Sequence, residues 1–163
     1  MADPMNTLND SAKWIIRNFN AASVASIDDD GFPAVSPKAT FVIVNDTSIA
    51  FGNIRSPATI HNFSHRPKTE INFIDVLHRR ALRIKGRVFL IDRESHQWKE
   101  LAPLFQELWK PYLEMMTHFV LIDIERASLV TSPAYDIGIA AAELRTTNLE
   151  KLNNLVPSPP GSS

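Results

Sequence analysis

Short apolar runs separated by tight turns fill most of residues 22–91, and this spacing is the strongest constraint on what the chain can fold into. Ser23 to Ile27 reads as a strand, and the turn cluster Asp28-Asp29-Asp30-Gly31 returns it as a hairpin over Pro33 to Ser36. Ala39 to Val44 and Ser48 to Phe51 form a second pair around Asn45-Asp46, and Glu70 to Ile74 and Leu82 to Ile91 supply two more strands. Phe119 to Ile124 is expected as a last core strand, which Ala127 to Thr131 extends. Six or more strands at hairpin spacing, with helices inserted rather than alternating, predict an antiparallel barrel of the α+β class and exclude a parallel α/β sheet.

Four helical segments are expected. The first runs from Thr7 and places Leu8, Ala12, Ile15 or Ile16, and Phe19 at helical spacing. A short one covers Pro57 to Ser64, and Arg66-Pro67 stops it. A third, Glu94 to about Trp109, starts from an Asp92 cap and carries Trp98, Leu101, Phe105 and Leu108 on one face. Pro103 falls within it and predicts a kink there. The last covers Ala140 to Leu155. Residues 1–6 are expected to fray, residues 1–156 to form one domain, and the Pro/Ser/Gly tail at 157–163 to be disordered.

The short helix carries the first functional signal. Ser56 before Pro57 is a favourable helix start, with Ser56 read as the cap. A helix N-terminus presents partial positive charge and undirected N–H donors, which suits a phosphate. Arg55 precedes it and Lys38 lies on an earlier strand, so the segment reads as a phosphate cradle set into a barrel. A capped helix beside an ordinary surface arginine is the plainer reading of the same residues.

Other classes fare less well. The formal net charge is −1, which gives no global attraction to nucleic acid or anionic membrane. Cysteine is absent, which removes disulfides, thiol catalysis and thiolate metal sites, and is compatible with a reducing cytoplasm. No apolar run is long enough for a membrane span and no secretory signal is evident, so a cytoplasmic protein is expected. His61 and His65 have a spacing that can chelate, but no third ligand follows, and no metal is expected; His78, His96 and His118 are scattered. The Asp28–Asp30 run reads as a turn, and Trp98, Phe105 and Trp109 as core or dimer contacts. Arg83, Lys85 and Arg87 share one strand face, either a solvated surface or a positive field for a ligand. Neither a Gly-x-Gly-x-x-Gly motif, nor a Walker loop, nor a nucleophile elbow is present.

In order and spacing, Asp-Gly-Phe-Pro (30–33), Ser-Pro-Lys (36–38), Arg-Ser-Pro-x-Thr-x-x-Asn (55–62), Arg-Pro (66–67), Ile-Asn-Phe-Ile-Asp (71–75) and Arg-Ile-Lys-Gly (83–86) resemble the pyridoxamine 5′-phosphate oxidase-like family. Ser132-Pro133-Ala134-Tyr135-Asp136 resembles the C-terminal signature of one bacterial branch. The resemblance implies a six-stranded FMN-binding split β-barrel with flanking helices, assembled as a homodimer with FMN sites at the subunit interface. It implies that Lys38, Thr40, Asn53, Ile54, Arg55, Ser56, Thr59 and Asn62 hold the flavin phosphate and ribityl chain. Arg80 and Arg83 would line the same site, from the same subunit or from the second. Tyr135 is a candidate for closing it, or a packed turn residue.

The function implied is a flavin-dependent oxidoreductase with a small-molecule electron donor or acceptor and no identified catalytic residue. The alternatives are a non-enzymatic FMN-binding, storage or redox-sensing protein, and a haem or deazaflavin binder on the same barrel, with His61 the nearest axial candidate for haem. One departure stands out. The oxidase proper carries a C-terminal Arg-x-His element for its vitamin B6 substrate, and Leu144-Arg145-Thr146-Thr147 offers no counterpart.

Overall fold

The computed structural model describes residues 6–155, so the expected fraying at 1–6 and the tail at 157–163 fall almost wholly outside the described residues. In chain order the elements are α1 (Asp10–Asn18), β1 (Ala22–Ile27), β2 (Pro33–Lys38), β3 (Phe41–Asn45), β4 (Ser48–Asn53), α2 (Pro57–His65), β5 (Lys68–Asp75), β6 (Arg80–Asp92), α3 (His96–Leu113), β7 (His118–Thr131) and α4 (Ala141–Asn153). The strands form one antiparallel sheet in the order β2-β1-β5-β6-β7-β4-β3. There are seven strands where six were expected, and the sheet is open between β2 and β3. It nevertheless curls strongly. Phe41 of β3 packs edge-on against Phe73 of β5, ring centroids 4.7 Å apart, although three strands separate them in the sheet.

Alternation explains the two layers of core. One face of each strand turns inward and buries Val24, Phe51, Ile71, Phe73, Leu82, Ile84 and Ile122, and α1 closes this interior with Ala12, Ile15 and Ile16. The opposite face of β3, β4, β6 and β7 is covered by α3. There Phe119 is inserted between Trp98 and Phe105, the three rings nearly parallel with centroid spacings of 3.6 and 3.9 Å.

Two helix expectations need correction. Ser95, rather than Asp92, caps α3, accepting from the Trp98 N–H at 3.1 Å, and Asp92 instead receives the Ser95 hydroxyl on its carbonyl. The helix runs through Pro103 and breaks at Trp109 (φ −129°, ψ 25°), just ahead of Pro111. Buried Leu101 and Phe105 pin the turns on either side of Pro103, whereas Pro111 lies in the last turn, where little packing opposes its ring. Among the described residues no helix is long and apolar enough to cross a membrane.

The β6–β7 pairing shifts register between Lys85 and Gly86, with Glu125 as the extra residue. A Cβ at Gly86 would collide with the Asp123 carbonyl oxygen and lie 2.6 Å from Ile122 Cγ2, so only glycine fits this crossing. Gly86→Ala is therefore expected to cost about 1–3 kcal/mol, as overpacking against backbone does. Urea unfolding checks it. Gly52→Ala is the comparison, because its obstruction is the movable Met116 side chain, and its cost should be smaller.

Candidate functional site

Ser36 and Lys38 alternate onto the inward face of β2, and Lys38 ends the strand opposite Ala22, itself opposite Phe73. Lys38 is 9% exposed. Its Nζ donates to the Ser36 hydroxyl, to Ser56 Oγ at 2.8 Å and, more loosely, to the Pro37 carbonyl at 3.4 Å. All of these acceptors are neutral, and burial pushes the ammonium pKa below its usual value.

Ser56 does not cap α2, contrary to expectation. Its side chain bonds none of the first-turn N–H groups because φ −131° and ψ 67° turn the hydroxyl toward Lys38 instead. Having accepted from Lys38, that hydroxyl keeps its own hydrogen to donate. A nearly buried cation, two hydroxyls and a helix start without a side-chain cap therefore converge.

The flanking residues brace this arrangement. Thr40 Oγ1 donates to the Gly52 carbonyl at 2.7 Å, fixing the crossing from β2 to β3. Asn53 donates through Nδ2 to Thr117 Oγ1 at 3.0 Å, while its Oδ1 is buried with no partner among the described residues. Ile54 packs against the layer under α3. Arg55 is exposed. Thr59 and Asn62 are buried in α2, and Asn62 Nδ2 donates to Ser26 Oγ at 2.9 Å, which seats the helix on β1. Asp29 seats the other end, pairing with His61 at 2.8 Å and Arg66 at 3.0 Å. Among the described residues no group of three ligands could hold a metal ion.

In the sequence Asp29 is read only as a turn residue and Ser36 only as a strand end and part of Ser-Pro-Lys, and Thr117 is not singled out. Ser36 alone carried a legible signal, its position two residues before Lys38 on a strand.

Arg80 and Arg83 are not brought to Lys38 within one chain. Arg80 Nε donates to Asp75 Oδ2 at 2.8 Å, and its guanidinium lies 5.0 Å from the Trp14 ring. Arg83 pairs with Glu70 and sits opposite Asn72 and Ser128, on the outer face of the sheet. That places it on the opposite side from Lys38, whose neighbours Ala22, Phe73 and Leu82 point inward. Tyr135 is a packed turn residue, its hydroxyl donating to the His78 carbonyl at 2.6 Å.

Asp75 is fully buried. Burial alone would raise its pKa, but the His78 N–H, the Arg80 guanidinium and the His78 ring together hold the carboxyl below its ordinary value of 3.8. Its contribution to stability is thus complete above that value and disappears as pH falls through the lower folded value. The exposed Asp29, held low first by His61 and then by Arg66, acts in the same direction. Acid unfolding followed by circular dichroism should begin below about pH 4 and be blunted in Asp75→Asn, which has no carboxyl to protonate.

The sequence profile of the pyridoxamine 5′-phosphate oxidase family matches residues 8–131. The chain belongs to this family. The match covers every strand and ends with β7, leaving α4 outside. Solved structures agree at the level of the fold. Group A Streptococcus HupZ superposes with a TM-score of 0.66 at 22% identity, over 77% of this chain and 95% of that one. A pyridoxamine 5′-phosphate oxidase-related, FMN-binding protein of Nostoc punctiforme gives 0.58 at 14% identity, covering 75% and 84%. An F420 reductase gives 0.56 at 15%, covering 74% and 98%. No curated protein matches the chain.

Proposed function

We propose that this member of the pyridoxamine 5′-phosphate oxidase family binds FMN and acts as a flavin-dependent oxidoreductase on a small molecule. The observation that carries the reading is Lys38, a cation nine-tenths buried whose neighbours are hydroxyls and a carbonyl. A buried charge without a counter-charge is costly, and a phosphate offsets that cost with charge-assisted hydrogen bonds. Lys38, the Ser36 and Ser56 hydroxyls and the first N–H groups of α2 would hold the phosphate, with Arg55 adding long-range attraction. The unpartnered Asn53 Oδ1 fits a hydroxyl donor of the ribityl chain.

Bound FMN would supply hydride and single-electron transfer, and the chain would supply binding, orientation and field. Arg83 faces away from its own Lys38, so it serves a flavin site only by reaching one held by a second copy. A homodimer that brings the outer faces of two copies together would allow this. The outer face offers exposed Ile74, Val35 and Val130 around Arg83 as apolar contact area. Vitamin B6 oxidation is disfavoured, because Arg145 on α4 is followed by Thr146-Thr147 and not by an Arg-x-His element.

A titration of the purified protein with FMN, followed by flavin fluorescence and the visible spectrum, tests the reading. Saturable binding at one FMN per chain, with dimers by sedimentation, is expected. An intense Soret band, or preference for a deazaflavin, would replace the ligand. Tight FMN binding with no turnover from NADH or NADPH would leave a storage or sensing role.

A further inference from the structure

A cleft of about 530 Å³ opens between α1, the free edge of β3, and α3, and none of the cradle residues lines it. Its size is that of a ligand pocket. Ile16, Phe41, Leu104 and Trp109 make it largely apolar, and Arg17 and Glu107 stand on opposite helical walls. Among the described residues neither of these two enters an ion pair or a side-chain hydrogen bond, with each other or with anything else.

The floor also has direction. Thr40 faces Gly52 in a hydrogen-bonded pair, so alternation along the antiparallel ladder bonds Val42 inward and points the N–H and C=O of Phe41 and Ile43 to the open edge. The Phe41 carbonyl is already taken by the Trp109 indole N–H at 3.0 Å. Ile43 is left with one donor and one acceptor aimed into the cleft, and the ladder loses register immediately after it. One residue's pair of groups is too little to template an added peptide strand, but it suits a small ring compound.

We propose that this cleft binds a small planar aromatic acid that also carries an amine or ring N–H, at a site separate from the anion cradle. The ring lies against Leu104 and Trp109 along the β3 edge, the acid meets Arg17, and the N–H donor meets Glu107. The guanidinium on one wall and the carboxylate on the other select a ligand with an acid at one end and an N–H donor at the other.

The test uses the full chain and 4-aminobenzoate, with benzoate and the non-planar 4-hydroxycyclohexanecarboxylate, which keeps one acid and one neutral donor, as comparisons. Calorimetry and the indole N–H resonances of the three tryptophans are read together. Saturable binding at one per chain is expected, with the Trp109 resonance shifting and those of Trp14 and Trp98 unmoved. Arg17→Ala should weaken it about tenfold or more, as loss of a charge-assisted contact does. Glu107→Gln should weaken 4-aminobenzoate but not benzoate, and the non-planar acid should bind less well. Leu108→Trp, at an exposed position on the rim, should block the cleft without disturbing the fold. Lys38→Ala should change nothing here, which separates this site from the flavin reading. Absence of saturation at millimolar concentrations, equal binding by Arg17→Ala, or loss of binding in Lys38→Ala would overturn the assignment.

Discussion

Lys38→Ala is expected to weaken FMN binding by about 1–3 kcal/mol, roughly 5- to 150-fold, while the flavin-free protein keeps or gains stability. The two effects have one origin. The ammonium is nearly buried and its partners are neutral, so in the free protein it carries a desolvation cost that its hydrogen bonds only partly offset. An anion turns that cost into attraction. The pH dependence follows with a definite sign. Because the folded pKa lies below the ordinary 10.5, the unfolded chain holds this proton more tightly between the two values. Stability of the free protein therefore rises with pH across that window, and a bound phosphate, by restoring the charge, should flatten the rise. Thermal melts with and without FMN, beside a fluorescence titration, report both halves. Parallel loss of stability and affinity would make Lys38 a structural residue, and unchanged affinity would remove it from the cradle.

Phe119→Ala should be the most damaging single truncation outside the site, at about 3–5 kcal/mol. The side chain is fully buried and stacked on both faces, by Trp98 and by Phe105. Both partners belong to α3, so one ring from β7 holds the helix to the sheet, and little else can collapse into the space. Chemical denaturation should show the loss in midpoint. Near-ultraviolet circular dichroism should show the Trp98 signal weakening while the far-ultraviolet strand signal persists. A cost under about 1 kcal/mol would mean that α3 is held by its other contacts.

The order of strands and helices was largely legible in advance, because period-two alternation and turn residues are local. Asp28 shows why. Its side chain accepts from the N–H groups of Asp30 and Phe32, so the hairpin turn is specified within five residues. Helix ends were less legible. Ser56 and Asp92 both have capping chemistry, and both lost the role to something outside their own segment or a few residues on. For Ser56 the competitor was Lys38, eighteen residues earlier, a contact that exists only once β2 and α2 meet.

The same division runs through the site. Residue types and their spacing alone determined that a cation and hydroxyls sit on a strand and at a helix start of one antiparallel α+β chain, since these depend on propensity and alternation. Tertiary structure alone decided that Lys38 would be buried beside Ser56 and that Arg83 would face the other side of the sheet. It also decided that Asp75 would claim Arg80. Those outcomes depend on sheet curvature, register and the competition of each charge for a partner, which are set by the whole chain packing at once.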